Sequence, residues 1–492
     1  MKKINLFIAI FMAVFFMVSC NDATDISQVG ELDEGAAYQT LADLSSGVNG
    51  AYAFYGVDSG GNGSGDELYF NAILTDNVKA GVASNGQGAT QYQYVVDITA
   101  GSPSFSVWTN RYSTINQINR VLRASTGINF ESEAEEADGN HLLGQLYALR
   151  ALAHLDLFEY YTVDYQDPQS LAVIIMDRVP SIDEQLERNT VEETVSFIMN
   201  DLITAKDLLD ENNADSNNNI YVNDDFVDFL RIKLELITGN YDSTTIDLAD
   251  DLMAKYPLAS TIDYRLLFLD AGDEEVIFKL ARGTGDSEVG ELFYFNLVDV
   301  DDAFIEVSND LYNELAEVPG DIRFDINVDA SSVFNGENDA DNILLIGKYP
   351  GSAAGPQIND IKVARSSEVL LMKAELEARS NMLGQAAASI QEIRTARVGS
   401  VQPLPNYGNL NEALTDILKE RRKELCFEGH RLLDIKRIGG ELNIGVTRST
   451  VDCTSFEAPC VIPANDYRYT LAIPQEEFFG NGNITQNPSY PN

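Results

Sequence analysis

Aromatic and amide side chains crowd two stretches of this 492-residue chain. Tyr69, Phe70, Tyr92 and Tyr94 stand in the first among Asp76, Asn77, Asn85, Gln87, Gln91 and Gln93; Phe293, Tyr294, Phe295 and Phe304 stand in the second beside Asn296. A sugar ring has an apolar C–H face and a rim of hydroxyls, so a flat aromatic surface with fixed polar groups beside it suits a carbohydrate. Gln91 to Tyr94 alternates amide and aromatic as a strand would, which puts Tyr92 and Tyr94 on one face, a candidate platform. Of the three aromatics at 293–295, alternate members should point inward, and Tyr294 is the one expected to be exposed.

Bond-breaking chemistry has no comparable signature. The chain contains no GxSxG, HExxH, Walker loop or CxxC, and its three histidines, His141, His154 and His430, are scattered. His154 falls on an apolar helix and reads as a satisfied core residue. Paired carboxylates of glycosidase spacing carry no information here, because 77 acidic residues make such a pair nearly inevitable. Asp215, Asn217 and Asn219 imitate the first half of a calcium loop but lack its glycine and distal glutamate, so they read as a solvated turn. A structural calcium is the only cofactor this leaves open; no catalytic residue, metal site or other cofactor is expected. The formal charge of −44 excludes nucleic acid as a partner, since phosphate binding needs a basic footprint.

Helical periodicity dominates the elements that must carry these residues. Apolar spacing at i, i+3 and i+4 runs through 108–124, 141–161, 191–209, 226–236, 245–256, 367–380 and 385–396. Trp108, the single tryptophan, opens the first of these. The segment 367–396 reads as a tetratricopeptide-like hairpin, with alanines where two helices approach and a short Asn/Gly turn between them. Two long excursions, 56–101 and 255–362, interrupt the helices with Gly, Ser, Asn and acidic turns; loops of this length in a folded secreted protein are usually functional.

Both termini carry further signals. Lys2 and Lys3 precede an apolar run from Ile4 to Val18, and Val18-Ser19-Cys20 closes it as a lipobox, so residues 1–19 read as a signal peptide and Cys20 as the lipidated residue. Removing residues 1–19, which include Lys2 and Lys3, leaves 31 basic against 77 acidic side chains, a net of −46. Residues 20–35 read as a lipidated acidic tether. Cys453 and Cys460 flank a short loop and are free to pair outside the cell, whereas Cys426 sits within an amphipathic helix as a buried thiol. That helix begins LTDILKERRKEL; the chain then ends in IPQEEFFGNGNITQNPSY, where Pro474 and Pro488 forbid a regular helix and a folded-back strap is expected.

Glu420 to Arg437 and Ile473 to Tyr490 together resemble the SusD/RagB family of surface lipoproteins, whose members end in an ERRxELxFEGxRxxDxxR-like helix and an NxxxxQNPxY-like terminus. Ser489 stands where that pattern usually has Gly. The stretches LYALRALAHLDLFEYY and DLITAKDLL are similar to further family segments, so the resemblance covers most of the chain. It implies a mainly α SusD-like fold with four tetratricopeptide-like helix pairs as a spine, plus loop-rich insertions with minor β structure. The implied parts are 36–254 as an N-terminal helical part with a ligand-facing loop at 56–101, 255–362 as an irregular insertion, and 363–492 as a C-terminal part with the last helix pair and the strap. Glu420, Arg421, Glu424, Glu428, Arg431 and Asp434 then read as buried ion pairs of the scaffold, and the family's Trp/Tyr pattern implies that Trp108 packs in the core. Leu74 to Gly81 resembles the family stretch leading into the ligand-facing loop, which makes Asp76 the favoured polar contact, with Asn77, Tyr69, Tyr92, Tyr94 and Tyr294 beside it. The implied function is non-catalytic: an outer-membrane lipoprotein facing the cell exterior that binds a neutral glycan and delivers it to a SusC-like TonB-dependent barrel. A RagB-like peptide binder, a surface glycoside hydrolase and a purely structural subunit remain the alternatives.

Overall fold

The computed structural model describes residues 38–56, 64–86, 88–99, 103–293 and 303–491; the expected signal peptide, the expected lipidation site Cys20, the expected tether and Tyr294 lie outside them. Helices of eight or more residues are α1 (Leu41–Gly56), α2 (Ser64–Ile73), α3 (Pro103–Ser125), α4 (Glu133–Tyr161), α5 (Val191–Leu208), α6 (Asp224–Ile237), α7 (Ser243–Lys255), α8 (Thr261–Phe268), α9 (Asn309–Ala316), α10 (Ser366–Arg379), α11 (Leu383–Val398) and α12 (Leu410–Leu425). Polar residues start them where the sequence changes character. Ser132, Asn223, Asp242 and Asn409 each accept a backbone N–H with their side chain, and Thr190 and Glu193 form a reciprocal capping box at α5.

Among the described residues four helix pairs stack in sequence order: α1 with α3, α4 with α5, α6 with α7, and α10 with α11, with α12 closing the last pair. This is the mainly helical spine that the resemblance implied. From Gly144 to Tyr161 α4 is buried on almost every side, because neighbours cover it all round; its alanines at 148, 151 and 153 let them approach. Trp108 is in the core as expected, its indole N–H donating to Glu477 at 2.9 Å between the rings of Tyr112 and Tyr161.

The C-terminal helix motif is a buried ion network. Glu424 receives Arg397 and Arg365, Glu428 receives Arg365 and Lys348, Glu420 receives Arg323 and Arg394, and Arg421 meets Asp434 at 2.7 Å. Burial raises a carboxyl's pKa, but the surrounding guanidinium groups outweigh it and hold Glu420 down at about 2. The terminal strap is not free of helix as expected, since Pro474 precedes a short one at Gln475–Gly480 whose first turn needs no N–H from the proline, and it is also pinned. Asn487 donates its amide to the carbonyls of Tyr161 and Leu471, Arg188 donates to Thr485 O, and Tyr490 donates to Thr470 O. Ser489 sits at φ +72°, a left-handed conformation that glycine adopts at least cost, which is why the related motif carries Gly there.

Strands are short and form two-stranded antiparallel ladders: β1 (Val78–Ala80) with β3 (Ile305–Val307), β2 (Val276–Leu280) with β6 (Ile361–Arg365), β4 (Gly351–Ser352) with β5 (Gly355–Pro356), and β7 (Val446–Thr447) with β8 (Val461–Ile462). The 56–101 stretch is therefore not loop throughout; it holds α2, β1 and a helical turn at Ala89–Tyr92.

Candidate functional site

Three excursions from the spine converge on one face: the chain around 74–95, the chain from 303 to 345, and the loop 446–462. The β1–β3 register places Lys79 opposite Glu306, and the two side chains pair at 3.2 Å. Glu306 also accepts Val82 N at 3.1 Å and Leu344 N at 2.9 Å, while Lys79 donates to Asn342 O. One buried ion pair thus joins three segments of backbone, 79–82, 305–307 and 342–344. Gly81 is required at the end of β1, because the carbonyl of Ala303 occupies the space that a Cβ would need.

Arg448 is the second anchor. Its guanidinium donates to the carbonyls of Ile73, Thr75 and Tyr92 at 2.7–3.0 Å and lies 4.1 Å over the Tyr92 ring. Burial lowers its pKa. The third anchor is Asp452, which accepts both the backbone N–H and the side-chain amide of Asn309, at 2.9 and 2.5 Å. The structure joins Cys453 to Cys460 in the same loop, with a Cα separation of 5.1 Å. Cys426 is a buried free thiol, its pKa pushed up by burial to about 12.

Above this base an aromatic pair reaches solvent. Phe334, 44% exposed, stacks on the half-buried Tyr312 of α9 with centroids 4.6 Å apart and planes 19° from parallel; Phe324 meets Tyr312 edge-on at 5.2 Å. Exposed Asn335 and Asn338 follow Phe334 in the same loop, Asn335 donating one amide hydrogen to Asp341 O and Asn338 accepting Ser449 Oγ. Past the other flank of α9 a cleft of about 680 Å³ is lined by Asn313, Glu314, Lys419, Arg422 and Arg431, and by Glu337 from the Phe334 loop. Apolar ring face, amide donors and a polar cleft are thus presented together.

The residues expected from sequence lie mostly beneath this surface. Asp76 is buried and chelated by Arg431 at 2.9 and 2.8 Å, and its backbone carbonyl accepts Arg422. Burial alone would raise its pKa, yet Arg422 and Arg431 hold it well below the usual carboxylate range. Asn77 is fully buried, accepting Arg422 through its side chain and Ser308 N through its backbone. Tyr92 and Tyr94 are each 1% exposed, and Tyr69 is half-buried against the core. The strand-like reading of 91–94 is corrected by the backbone: Tyr92 ends a helical turn and Tyr94 lies at φ +63°, so both rings turn inward, under Arg448 and Arg468 respectively. Phe293 and Phe304 are also buried. The expected contacts at Asp76, Asn77, Tyr92 and Tyr94 are thus replaced by scaffold roles, because their polar atoms and ring faces are taken up inside the molecule. The 215–219 stretch begins as a 3₁₀ turn, Ala214–Asn217, with Asn213 capping Asp215 N.

Sequence reasoning passed over Tyr312, Phe334, Asn309, Asn342, Arg448 and Asp452. Phe334 had a detectable signal: it is a lone aromatic in SSVFNGENDADN, where a turn-rich loop offers no reason for a buried ring.

Fold and surface together define a class, helical-repeat proteins in which excursions from a helix-pair spine build a separate loop face. Two family models match the sequence, one described as the SusD family over residues 344–490 and one as starch-binding associating with outer membrane over residues 37–220. The chain belongs to the SusD/RagB family. The SusD-like protein P38 of Formosa agariphila is similar, 37% identical over 105 residues, which are 19% of this chain and 20% of that one; the match spans about a fifth of that relative's length. A SusD superfamily protein from Bacteroides thetaiotaomicron shares 25% identity and a TM-score of 0.75 over 91% of this chain and 100% of that one. A SusD-like carbohydrate binding protein from Bacteroides vulgatus has the same fold, with a TM-score of 0.77 at 21% identity over 92% of this chain and 99% of that one. The Phe334 loop falls between the two matched regions.

Proposed function

We propose that this protein is a lipid-anchored glycan-binding protein of the outer-membrane surface, which holds a neutral oligosaccharide and passes it to a SusC-like TonB-dependent barrel. The observation that carries the reading is the exposed Phe334–Tyr312 stack, followed in the loop by Asn335 and Asn338, on the loop face of a SusD/RagB fold. Phe334 supplies an apolar plane for the C–H face of a sugar, and the amides after it and the adjoining cleft supply partners for hydroxyls. The names of its relatives support the ligand class, since one structural neighbour is described as carbohydrate binding and a matching family as starch-binding. Its activity is read as binding without catalysis: the buried carboxylates of the loop face, Glu306 and Asp452, are committed to backbone and amide hydrogens, so neither is placed as a general acid or base.

Charge selects among glycans. A net of −44 disfavours a polyanionic ligand, and the cations beside the face, Lys79, Arg422, Arg431 and Arg448, are already paired with carboxylates or backbone carbonyls. A shallow site of this kind is expected to bind in the micromolar range, about −8 kcal/mol. The test is a glycan array followed by calorimetry on the soluble chain lacking residues 1–20. Saturable binding of neutral oligosaccharides supports the reading; binding of peptides alone would replace it with a peptide binder, and turnover of an oligosaccharide with a hydrolase. Purification of the native complex from membranes under mild detergent tests the barrel partner, and recovery of the chain alone counts against it.

A further inference from the structure

A buried polar relay runs from the disulfide loop to the aromatic surface. Asp452 accepts the backbone N–H and the side-chain amide of Asn309. A carboxylate only accepts, so the amide nitrogen of Asn309 must face Asp452 and its oxygen must face away. That oxygen receives Nδ2 of Asn342 at 2.6 Å. Asn342 in turn spans the base of the loop that carries Phe334: Nδ2 also donates to Gly336 O at 2.8 Å, and Oδ1 accepts Asn335 N at 2.7 Å. All three residues are at least 98% buried. Asp452 is itself placed by the turn before it, through its N–H to Ser449 O, by the Tyr92 hydroxyl, which donates to its carbonyl at 3.0 Å, and by the Cys453–Cys460 bridge that closes the segment following it.

We propose that Asp452 and the Cys453–Cys460 bridge are positioning elements of the ligand surface: they fix the orientation of Asn309, and through Asn342 they hold the 333–342 loop in the shape that sets Phe334 on Tyr312. The proposal rests on the reading that this surface binds ligand. Its physical content is preorganisation. Without the relay the loop loses the hydrogen bonds that tie Asn335 N and Gly336 O to its base; the Val333–Ile343 bridge and the contacts of Asn335 with Asp341 O, Asn338 with Ser449 and Asn342 O with Lys79 remain, and a loop held less fully samples shapes in which the ring is not stacked, so a ligand must bear the cost of ordering it. The polarity of the chain makes Asp452→Asn a sharp probe, because asparagine has the shape of aspartate but offers one acceptor where Asn309 requires two.

The experiment compares the mature lipidated chain in detergent with Asp452→Asn and with the double variant Cys453→Ser/Cys460→Ser, by hydrogen exchange and by calorimetry with the neutral oligosaccharide selected on the array. Exchange of the 333–343 amides is expected to rise by about tenfold or more in both variants while the central helix 133–161 stays protected, and affinity to fall by about fivefold or more. In a Phe334→Ala background Asp452→Asn should produce little further loss of affinity, which a general weakening of the fold would not reproduce. Unchanged exchange at 333–343 in both variants, or faster exchange with affinity unchanged, overturns the proposal. Faster exchange in a protein whose parent binds no neutral oligosaccharide upholds the relay as the device that shapes the loop and overturns only the glycan reading. If Asp452→Asn also exposes the central helix, the disulfide variant decides.

Discussion

Phe334 and Tyr92 are both aromatic residues of the excursions, yet they should respond oppositely to truncation. Phe334→Ala removes an exposed ring and is expected to weaken oligosaccharide binding by about tenfold, about 1.4 kcal/mol, with little change in the thermal midpoint. Tyr92→Ala empties a site in the core, beneath Arg448 and against Asp452, and should cost about 3–5 kcal/mol of stability, visible in a urea titration. Equal stability of the two variants would contradict these placements. His154 gives a pH prediction. Its ring hydrogen-bonds to Arg150 O and to Met176 N, and burial lowers its pKa to about 3 from an ordinary 6.5. The folded protein therefore keeps it neutral while the unfolded chain takes up a proton below pH 6.5. Its contribution is complete above that value and is lost as pH falls from about 6.5 toward 3, at up to about 1.4 kcal/mol per pH unit. Urea unfolding of His154→Gln across this window should show a shallower fall with acid than the parent; an identical slope would mean that the imidazole is not held neutral. The core role of His154 was legible in the apolar spacing around it, whereas the inward turn of Tyr92 and Tyr94 was not, because it depends on a helical turn ending at Tyr92 and a left-handed backbone at Tyr94 that the alternating pattern does not encode.

Helices were read more accurately than excursions. The spans expected from periodicity at 191–209, 226–236 and 385–396 meet α5, α6 and α11 within three residues at each end, since capping residues and apolar spacing are local signals. The strap is an element of a different kind, a short helix at Gln475–Gly480 followed by irregular backbone, tied to the end of α4 and to neighbouring segments by hydrogen bonds. Relieving the left-handed strain at Ser489 with Ser489→Gly should stabilise the protein by about 0.5–1 kcal/mol. A lower unfolding midpoint in that variant would show that the serine side chain contributes more than the strain removes. Asn487→Ala should act in the other direction, because the carbonyls of Tyr161 and Leu471 lose their shared donor in a buried place; a loss of about 1–3 kcal/mol in a denaturant titration is expected. The short β1–β3 ladder could not be anticipated, because three-residue strands more than 200 positions apart carry no periodic signal of their own.

For the whole molecule the anchor and the charge make separate predictions. Cys20→Ala should release the protein or leave it in the periplasm, as surface labelling of cells would show; normal display would overturn the lipobox reading. Binding of a neutral glycan should be nearly indifferent to added salt, whereas an affinity that collapses with salt would mean that an anionic ligand finds a local basic patch despite the net charge. By itself the sequence determined the helical class, the hairpin at 367–396 and the strap, which are written in local periodicity and turn chemistry, and its contiguous C-terminal motifs carried the family resemblance that implied the four helix pairs and the ion pairs of the last helix. It also marked the excursions as the parts to inspect. Only the tertiary structure decided which of their residues face outward. Asp76 finds its arginines some 350 positions away, Arg448 reaches back to carbonyls at 73–92, and Phe334 is exposed because Asn342, Asn309 and Asp452 use the buried space beneath it. Exposure is a property of what packs on a residue, and here the packing partners come from distant segments whose approach no local pattern records.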